Sequence, residues 1–330
     1  MSNIGVLGAG TWGMALSRLL HNNGHQVCVW SALEREVTEF SATRVHPNLP
    51  GMEIPADITF TGEISEVCQG RDILLFAVPS PFVRSTARLA APYIRDGQII
   101  VDVAKGIETD TLMSMSQIIA QEVANPTVKI VALSGPTHAE EVAKDLPTTI
   151  VSACEDQTVA ELVQNVFWGT CMRVYTNDDV LGVELCGAVK NVIALACGVA
   201  VGLGYGDNIK AALITRGIAE LSRLGMAMGC REDTFSGLAG VGDLIVTATS
   251  MHSRNNRCGM LIGQGVPVDE AVKQVGMVVE GLNALPATMI LAEKYQVEMP
   301  IVQAVYDIVH QGVHPKDVVQ QLMGRDKKPE

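Results

Sequence analysis

The chain has 330 residues, of which 48% are hydrophobic and 18% charged, which predicts about two folded domains and excludes a disordered or low-complexity protein. Its 24 basic and 36 acidic residues give a net charge of -12, so no nucleic-acid partner and no integral membrane contact are expected. No basic residue precedes Arg18, and the uncharged run 191–206 is shorter than the ~20 residues of a membrane span, so we expect a cytoplasmic protein.

The cysteine and histidine spacings carry no metal signature. Eight cysteines occur without a Cys-x-x-Cys pair, and the seven histidines form no His-x-x-x-His or Glu-x-x-His pair. Several cysteines lie inside apolar runs, which is typical of buried free thiols. We expect no metal site.

Short runs of Val, Ile and Leu alternate with helical patterns in the first half of the chain. The runs predict strands at residues 4–7, 26–30, 72–78, 98–103, 129–134, 148–153 and 172–175. The patterns between them predict helices at residues 14–20, 81–91, 111–124 and 157–167. This alternation indicates an α/β fold with a Rossmann-like, doubly wound parallel sheet.

The pattern changes near residue 180, after which no β-branched run appears. Apolar residues recur at helical spacing through residues 183–201, 211–224, 268–275, 284–293 and 301–310. We predict a dinucleotide-binding domain at residues 1–180 and an all-helical substrate and catalytic domain at residues 181–330.

A glycine cluster follows the first strand and opens the first helix. Gly8 permits a tight turn, Gly10 lets a pyrophosphate approach the backbone, and Gly13 lets the helix pack close to the strand. A second strand follows at the spacing that a dinucleotide site requires. The alternative is an ordinary glycine-rich turn; the context favours the dinucleotide site.

The second strand ends at Trp30 without the carboxylate that holds the ribose hydroxyls in NAD-selective proteins. Glu34 lies close by, but Ser31-Ala32-Leu33-Glu34 also has the form of a capping box, which we favour. Without a carboxylate, Arg35 is placed to meet a 2′-phosphate. Both NAD(H) and NADP(H) are therefore expected to serve as cofactor.

Two segments place polar groups at the carboxyl ends of predicted sheet strands, where doubly wound folds bind ligands. Lys105 follows one strand and Ser134-Gly135-Pro136-Thr137 closes another. Each has a simpler interpretation, as a solvated loop lysine and as an ordinary turn.

Lys190 is the most distinctive residue of the second half, since it lies mid-helix among small and apolar neighbours. The alternative is a lysine that extends along the surface to water; the even apolar content favours a buried cleft. Asp243 either caps a helix or shares a functional helix face with Thr247. Ser253-Arg254-Asn255 presents a hydroxyl, a guanidinium and an amide, which suit a phosphate; the alternative is a polar loop.

Together these segments closely resemble the bacterial NAD(P)-dependent glycerol-3-phosphate dehydrogenase family over nearly the whole chain. The segments that carry the resemblance are residues 8–13, 104–106, 134–137, 187–191, 212–217, 240–243, 253–255 and 279–281. The resemblance implies reduction of dihydroxyacetone phosphate to sn-glycerol 3-phosphate with NADPH or NADH, and a homodimer.

The resemblance also implies roles for individual residues. The catalytic residues would be Lys190, as proton donor and acceptor, and Asp243. The cofactor-binding residues would be Gly8, Gly10, Thr11, Trp12, Gly13, Lys105, Ala139, Arg254, Val278 and Glu280. The substrate-binding residues would be Lys105, Gly135, Thr137, Lys190, Asp243, Ser253, Arg254 and Asn255.

Two positions depart from the family pattern. Ala32 stands where the family often has a basic or imidazole side chain, and His138 replaces a commonly aromatic position. Two other classes stay open: a dehydrogenase of the same plan that acts on a hydroxy acid, and a non-catalytic NAD(P)H sensor. A sensor requires neither Lys190 nor the 253–255 cluster.

Overall fold

The computed structural model describes residues 1–327, which form two compact units. One unit comprises Met1–Lys105 and Met113–Glu184, and the other comprises Gly106–Leu112 and the chain from Leu185 onward. The boundary near residue 180 concerns the functional domains and stays a prediction.

One eight-stranded sheet forms the centre of the first unit. Its strands are β1 (Asn3–Leu7), β2 (Gln26–Trp30), β3 (Thr59–Thr61), β4 (Ile73–Phe76), β5 (Ile99–Asp102), β6 (Lys129–Ser134), β7 (Thr148–Ala153) and β8 (Met172–Asn177). They lie in the order β3-β2-β1-β4-β5-β6-β7-β8, and the first six are parallel. This order is that of a dinucleotide-binding sheet, and the predicted Rossmann-like α/β class is confirmed.

Two features of the sheet differ from the sequence prediction. Strand β3 has only three residues, too few for a recognisable apolar run. Strand β7 runs antiparallel to β6, because the chain between them contains only a four-residue helix instead of a full crossover helix. The sheet is therefore mixed.

Seven α-helices accompany the sheet. They are α1 (Thr11–Asn22), α2 (Glu34–Thr43), α3 (Ile64–Cys68), α4 (Val83–Ala90), α5 (Met115–Val123), α6 (Ala139–Val142) and α7 (Gln157–Val166). Helix α5 begins later than the predicted residue 111, because Ser114 and Gln117 form a capping box there. The short helices α3 and α6 were not predicted, since one turn carries no periodicity.

Two apolar clusters cover the two faces of the sheet. Val6 packs in one cluster with Leu16 and Val131, whereas the next residue, Leu7, packs in the other with Phe76. Successive strand residues point to opposite faces, so β1 is buried on both sides, as its continuous apolar run predicts. All eight cysteines are free, and only Cys171 among them is partly exposed.

The second unit is helical over the residues that the structure describes, as predicted. Its helices are α8 (Val180–Gly202), which begins in the first unit, α9 (Asp207–Ala227), α10 (Glu232–Ser236), α11 (Asp243–Thr249), α12 (Arg254–Gly263), α13 (Val268–Val275), α14 (Glu280–Lys294), α15 (Pro300–His310) and α16 (Pro315–Met323). A π-helical turn, Leu238–Gly242, leads directly into α11.

Helix α8 is long and apolar enough to cross a membrane, the one such helix in residues 1–327. Its 23 residues exceed the predicted helix, and its most apolar stretch has a mean hydropathy of 1.8. That stretch is 83% buried inside the protein, so the protein's own packing covers it.

Glu220 is a buried carboxyl that joins two helices of the second unit. It lies on α9 and is 2% exposed. Its carboxyl oxygens accept the backbone N–H groups of Ile301, at 2.8 and 3.1 Å, and Val302, at 3.3 Å, at the start of α15. Burial raises the pKa of Glu220 to about 7.

We expect Glu220 to make stability depend on pH. Between the unfolded pKa near 4.5 and the folded pKa near 7, the folded state binds more protons than the unfolded state. The unfolding free energy of wild type should therefore fall by roughly 3 kcal/mol relative to that of Glu220→Gln as the pH rises through this window. Denaturant unfolding of both proteins between pH 4.5 and 8 measures the difference. Glu232→Gln, at an exposed position, is the control, because its unfolding free energy should differ from that of wild type by the same amount at every pH. The prediction is contradicted if the difference between wild type and Glu220→Gln is equally independent of pH.

Candidate active site

The turn between β1 and α1 brings the predicted phosphate-binding glycines together. Gly8 has a φ of +121°, and a Cβ there would lie 2.8 Å from the Ala77 backbone. A Cβ on Gly13 would overlap the Gly8 carbonyl oxygen, so both positions require glycine. Gly10 precedes α1, and no atom lies within 4 Å of where its Cβ would be. The turn leaves open space over its middle glycine.

This turn fits an anionic ligand. Thr11 and Trp12 are the first residues of α1, where backbone N–H groups lack helical partners. The Thr11 hydroxyl is buried and has no hydrogen-bond partner in residues 1–327. An unpartnered donor beside an open helix N-terminus is what a pyrophosphate would complete.

Three of the predicted substrate residues meet at the carboxyl ends of β5 and β6. Lys105 Nζ donates to the Gly135 carbonyl at 3.1 Å, and the Thr137 hydroxyl donates to the same oxygen at 3.2 Å. Ala139 begins α6 just beyond them, with His138 at the N-cap position. The structure therefore places the 104–106 and 134–137 segments side by side.

Two buried carboxyls that the sequence analysis did not single out lie in the same unit. Asp102 ends β5 and accepts the Ala104 N–H at 3.1 Å. Glu184 accepts hydrogen bonds from the Ser114 hydroxyl and from both the N–H and the hydroxyl of Ser116. Burial raises the pKa of both carboxyls, and the charge of Glu184 adds to the effect at Asp102.

Lys190 lies in the buried interior of the second unit. It is 5% exposed, so it does not extend along the surface to water. Its Nζ donates to Asp243 Oδ1 at 2.9 Å and to the Thr247 hydroxyl at 2.6 Å. Asp243 is fully buried, and Thr247 nearly so. The ammonium is thus held by one carboxylate and one hydroxyl on successive turns of α11.

The helix-capping interpretation of Asp243 is wrong. Gly242 occupies the N-cap position with helical backbone angles, because the π-helical turn continues into α11. The Asp243 side chain is therefore directed to Lys190 instead of capping a helix. π-Helical turns are frequent at functional sites.

The 253–255 segment is a helix N-terminus and not a loop. Ser253 caps α12 by accepting the Asn256 N–H at 3.2 Å. Asn255 is buried; its Nδ2 donates to Asn191 Oδ1 at 2.9 Å, and its Oδ1 accepts the Gly281 N–H at 2.8 Å. Asn191 follows Lys190 directly, so Asn255 connects α8 to the start of α14.

The remaining predicted residues lie around these helix starts. Arg254 is the first residue of α12 and is partly exposed. Val278 is partly exposed two residues before α14, and Glu280 begins that helix. The Glu280 carboxylate accepts from the Asn283 amide at 3.1 Å.

The predicted capping box of Ser31 and Glu34 is wrong. Helix α2 begins at Glu34, and the residue before it is Leu33. The Ser31 hydroxyl accepts the Leu33 N–H at 3.1 Å and donates to Glu36. The carboxylate that reaches back to Ser31 is that of Glu36, in the first turn of α2, so β2 does end beside a carboxylate.

Two residues with direct roles in this geometry were missing from the predicted site residues. Thr247 was noted only for sharing a face with Asp243, and Asn191 only as part of a motif. The four-residue spacing of Asp243 and Thr247 was the available signal for the first. Nothing in the sequence relates Asn191 to Asn255, 64 residues away.

Comparison with known proteins gives the family. The model of the NAD-dependent glycerol-3-phosphate dehydrogenase N-terminus matches residues 3–160, and that of the C-terminus matches residues 179–320. The chain is 65% identical to glycerol-3-phosphate dehydrogenase [NAD(P)+] 2 of Lactobacillus delbrueckii subsp. bulgaricus, over 100% of this chain and 99% of that one.

Solved structures agree with the family match. The crystal structure of glycerol-3-phosphate dehydrogenase from Coxiella burnetii has a TM-score of 0.94 at 36% identity, covering 98% of this chain and 99% of that one. D-mandelate dehydrogenase with NADH and anilino(oxo)acetate has a TM-score of 0.66 at 15% identity, covering 96% and 99%, which shows a shared fold alone. The chain belongs to the NAD(P)-dependent glycerol-3-phosphate dehydrogenase family of oxidoreductases.

Proposed function

We propose that this protein reduces dihydroxyacetone phosphate to sn-glycerol 3-phosphate with NADPH or NADH, reversibly, and so supplies the glycerophospholipid backbone. The observation that carries the proposal is the buried Lys190 ammonium, held at 2.9 Å by Asp243 and at 2.6 Å by Thr247. Family membership supports the substrate class. A positively charged group fixed in a buried position can stabilise the negative charge that develops on the oxygen when a ketone is reduced.

Residues 1–180 would bind the dinucleotide. Gly8, Gly10 and Gly13 shape the turn, and the α1 N-terminus with Thr11 and Trp12 would hold the pyrophosphate. Lys105, Ala139, Arg254, Val278 and Glu280 are the further proposed cofactor residues. When bound, the reduced nicotinamide supplies a hydride.

Residues 181–330 would provide the proton. As the carbonyl carbon gains the hydride, the C=O π bond breaks and its electron pair moves to oxygen. Lys190 would stabilise that charge and donate the proton, leaving a neutral amine that is later reprotonated from solvent. Asp243 and Thr247 fix the position of Nζ, so little reorganisation is needed during the reaction.

The substrate phosphate requires local positive groups, since the whole chain carries a charge of -12. Arg254 and the α12 N-terminus would supply them, with Ser253 and Asn255 as neutral neighbours. Asn255 Nδ2 has one hydrogen beyond its bond to Asn191. Lys105, Gly135 and Thr137 are the proposed substrate residues of the first unit.

Oxidation of NADPH and NADH with a panel of carbonyl compounds tests this function. We expect dihydroxyacetone phosphate to be reduced with both cofactors and small keto acids to be inert. Turnover of keto acids in its place would favour the hydroxy-acid class, and dinucleotide binding without any turnover would favour a sensor.

We expect Arg254→Ala to raise the KM for dihydroxyacetone phosphate strongly. A charge-assisted phosphate contact contributes roughly 1.5–3 kcal/mol, or about 10- to 150-fold in KM. Steady-state kinetics at saturating NADPH measure the change. The exposed Arg231→Ala, in an ion pair with Asp233, is the control. An unchanged KM in folded Arg254→Ala would show that Arg254 does not contact the phosphate.

We further propose a cytoplasmic homodimer. Helix α8, which is long enough to span a membrane, is mostly buried inside the protein, which supports a protein free of the membrane. Light scattering of the purified protein measures the assembly, and a monomeric mass contradicts the dimer.

A further inference from the structure

The carboxyl end of β2 holds a carboxylate contributed by the following helix. Ser31 comes directly after β2 and is 5% exposed. Its hydroxyl donates to Glu36 Oε2 at 2.5 Å, while it accepts the Leu33 N–H at 3.1 Å. Glu36 is partly exposed. This carboxylate is therefore fixed at the strand end and still reachable by a ligand.

The end of β2 lies beside the phosphate-binding turn, because the Trp30 carbonyl accepts the Gly8 N–H at 2.9 Å. His46 is 3% exposed, and its ring hydrogen-bonds the Ala9 backbone inside that turn. The charges of Glu36 and Glu39 both act on this imidazole. Burial lowers the pKa of His46, which favours the uncharged imidazole beside the turn.

The nearest arginine on α2 is already paired. The Arg35 side chain is 90% exposed, and its Nε lies 3.4 Å from Glu39 Oε2. The expectation that Arg35 would meet a 2′-phosphate was based on a strand end without a carboxylate, which the structure contradicts. The fixed charge at the end of β2 is that of Glu36, which is negative.

We propose that Glu36 is a specificity-determining residue that makes the protein bind NAD(H) more tightly than NADP(H). A carboxylate at the end of the second strand accepts hydrogen bonds from the adenosine ribose hydroxyls. A 2′-phosphate there carries about two negative charges, which a fixed carboxylate repels. NADP(H) stays usable at a higher concentration. This proposal rests on the proposed dinucleotide binding.

The next strand provides a matched control. At the end of β3, the Thr61 hydroxyl donates to Glu66 Oε2 at 2.6 Å and accepts the Glu63 N–H at 2.9 Å. This is the same turn at a strand one position further from β1. If the Ser31–Glu36 hydrogen bond only stabilises the local turn, Glu36→Gln and Glu66→Gln should have the same effect on the Kd values for NAD⁺ and NADP⁺.

Calorimetric titration with NAD⁺ and NADP⁺ tests the proposal on the full-length protein at low salt. Wild type should bind NAD⁺ at least about tenfold more tightly than NADP⁺. Glu36→Gln should lower the Kd for NADP⁺ about tenfold and change that for NAD⁺ by less than about threefold. Glu66→Gln should leave both values within about twofold.

A second variant, Ser31→Ala, keeps the Glu36 carboxylate but removes the hydrogen bond that holds it at the strand end. It should shift the ratio of the two Kd values in the same direction as Glu36→Gln, by a smaller factor. Thermal unfolding of each variant verifies folding. The proposal is overturned if wild type prefers NADP⁺. It is also overturned if Glu36→Gln leaves the ratio of the Kd values for NADP⁺ and NAD⁺ unchanged, which includes an equal change in both Kd values. A wild type that binds neither dinucleotide overturns the proposed function as well.

Discussion

Lys190→Met is expected to lower kcat by about 10²–10⁴-fold while leaving dinucleotide affinity nearly unchanged. The substitution removes the proposed proton donor and the charge that faces the developing oxyanion. Methionine keeps an unbranched stem of similar length in a buried position, which favours folding. The proposed dinucleotide turn belongs to the other compact unit. NADPH absorbance gives kcat, and calorimetry on the same preparation gives the dinucleotide Kd.

Two further variants sharpen this test. Lys210→Met removes a partly exposed lysine on α9 that is paired with Asp207, and should leave kcat unchanged. Lys190→Met alone leaves the buried Asp243 carboxylate without its ion-pair partner. The double variant Lys190→Met with Asp243→Asn removes both charges, so its kcat does not include an effect of that unpaired carboxylate. If either variant without Lys190 keeps more than about a tenth of wild-type kcat, a difference of ~1.4 kcal/mol, Lys190 is not the proton donor.

Asp243→Asn is expected to lower both stability and activity. The Lys190 ammonium would stay buried without its counter-charge, and breaking a buried pair costs roughly 3–5 kcal/mol of unfolding free energy. The ammonium is then less stable relative to the neutral amine, so the proton donor is depleted and kcat should fall by about 10²-fold or more. Denaturant unfolding and steady-state kinetics measure the two effects.

An exposed ion pair in the same unit provides the control for Asp243→Asn. Asp233 pairs with Arg231 at 2.7 Å, and both side chains are more than half exposed. Asp233→Asn should change the unfolding free energy by less than about 1 kcal/mol. Lys190→Met with Asp243→Asn should be more stable than Asp243→Asn alone, since no unpaired charge remains. Equal effects of the two single Asp variants would contradict a buried, energetically coupled pair.

The sequence alone was sufficient where the information is local. The runs at residues 129–134 and 148–153 coincide with β6 and β7, because a strand buried on both faces is a continuous apolar run. The glycines of residues 8–13 predicted their own turn, since only glycine tolerates its φ angle and close approaches. The apolar periodicity after residue 180 likewise predicted a helical second domain.

Only the tertiary structure decided which side chains meet. Lys190 and Thr247 are 57 residues apart, and their ammonium and hydroxyl groups meet at 2.6 Å. No local sequence pattern specifies that α11 packs against α8 in this way. The sequence analysis considered Glu34, whereas the folded chain places Glu36 at the strand end through its hydrogen bond from Ser31. The direction of β7 depended on how a short connection packs. Local sequence determined the elements of this protein, because hydrophobic periodicity and backbone sterics act over a few residues. Packing between distant segments decided the partners of its buried polar groups, because each such group must find a hydrogen bond wherever the fold provides one.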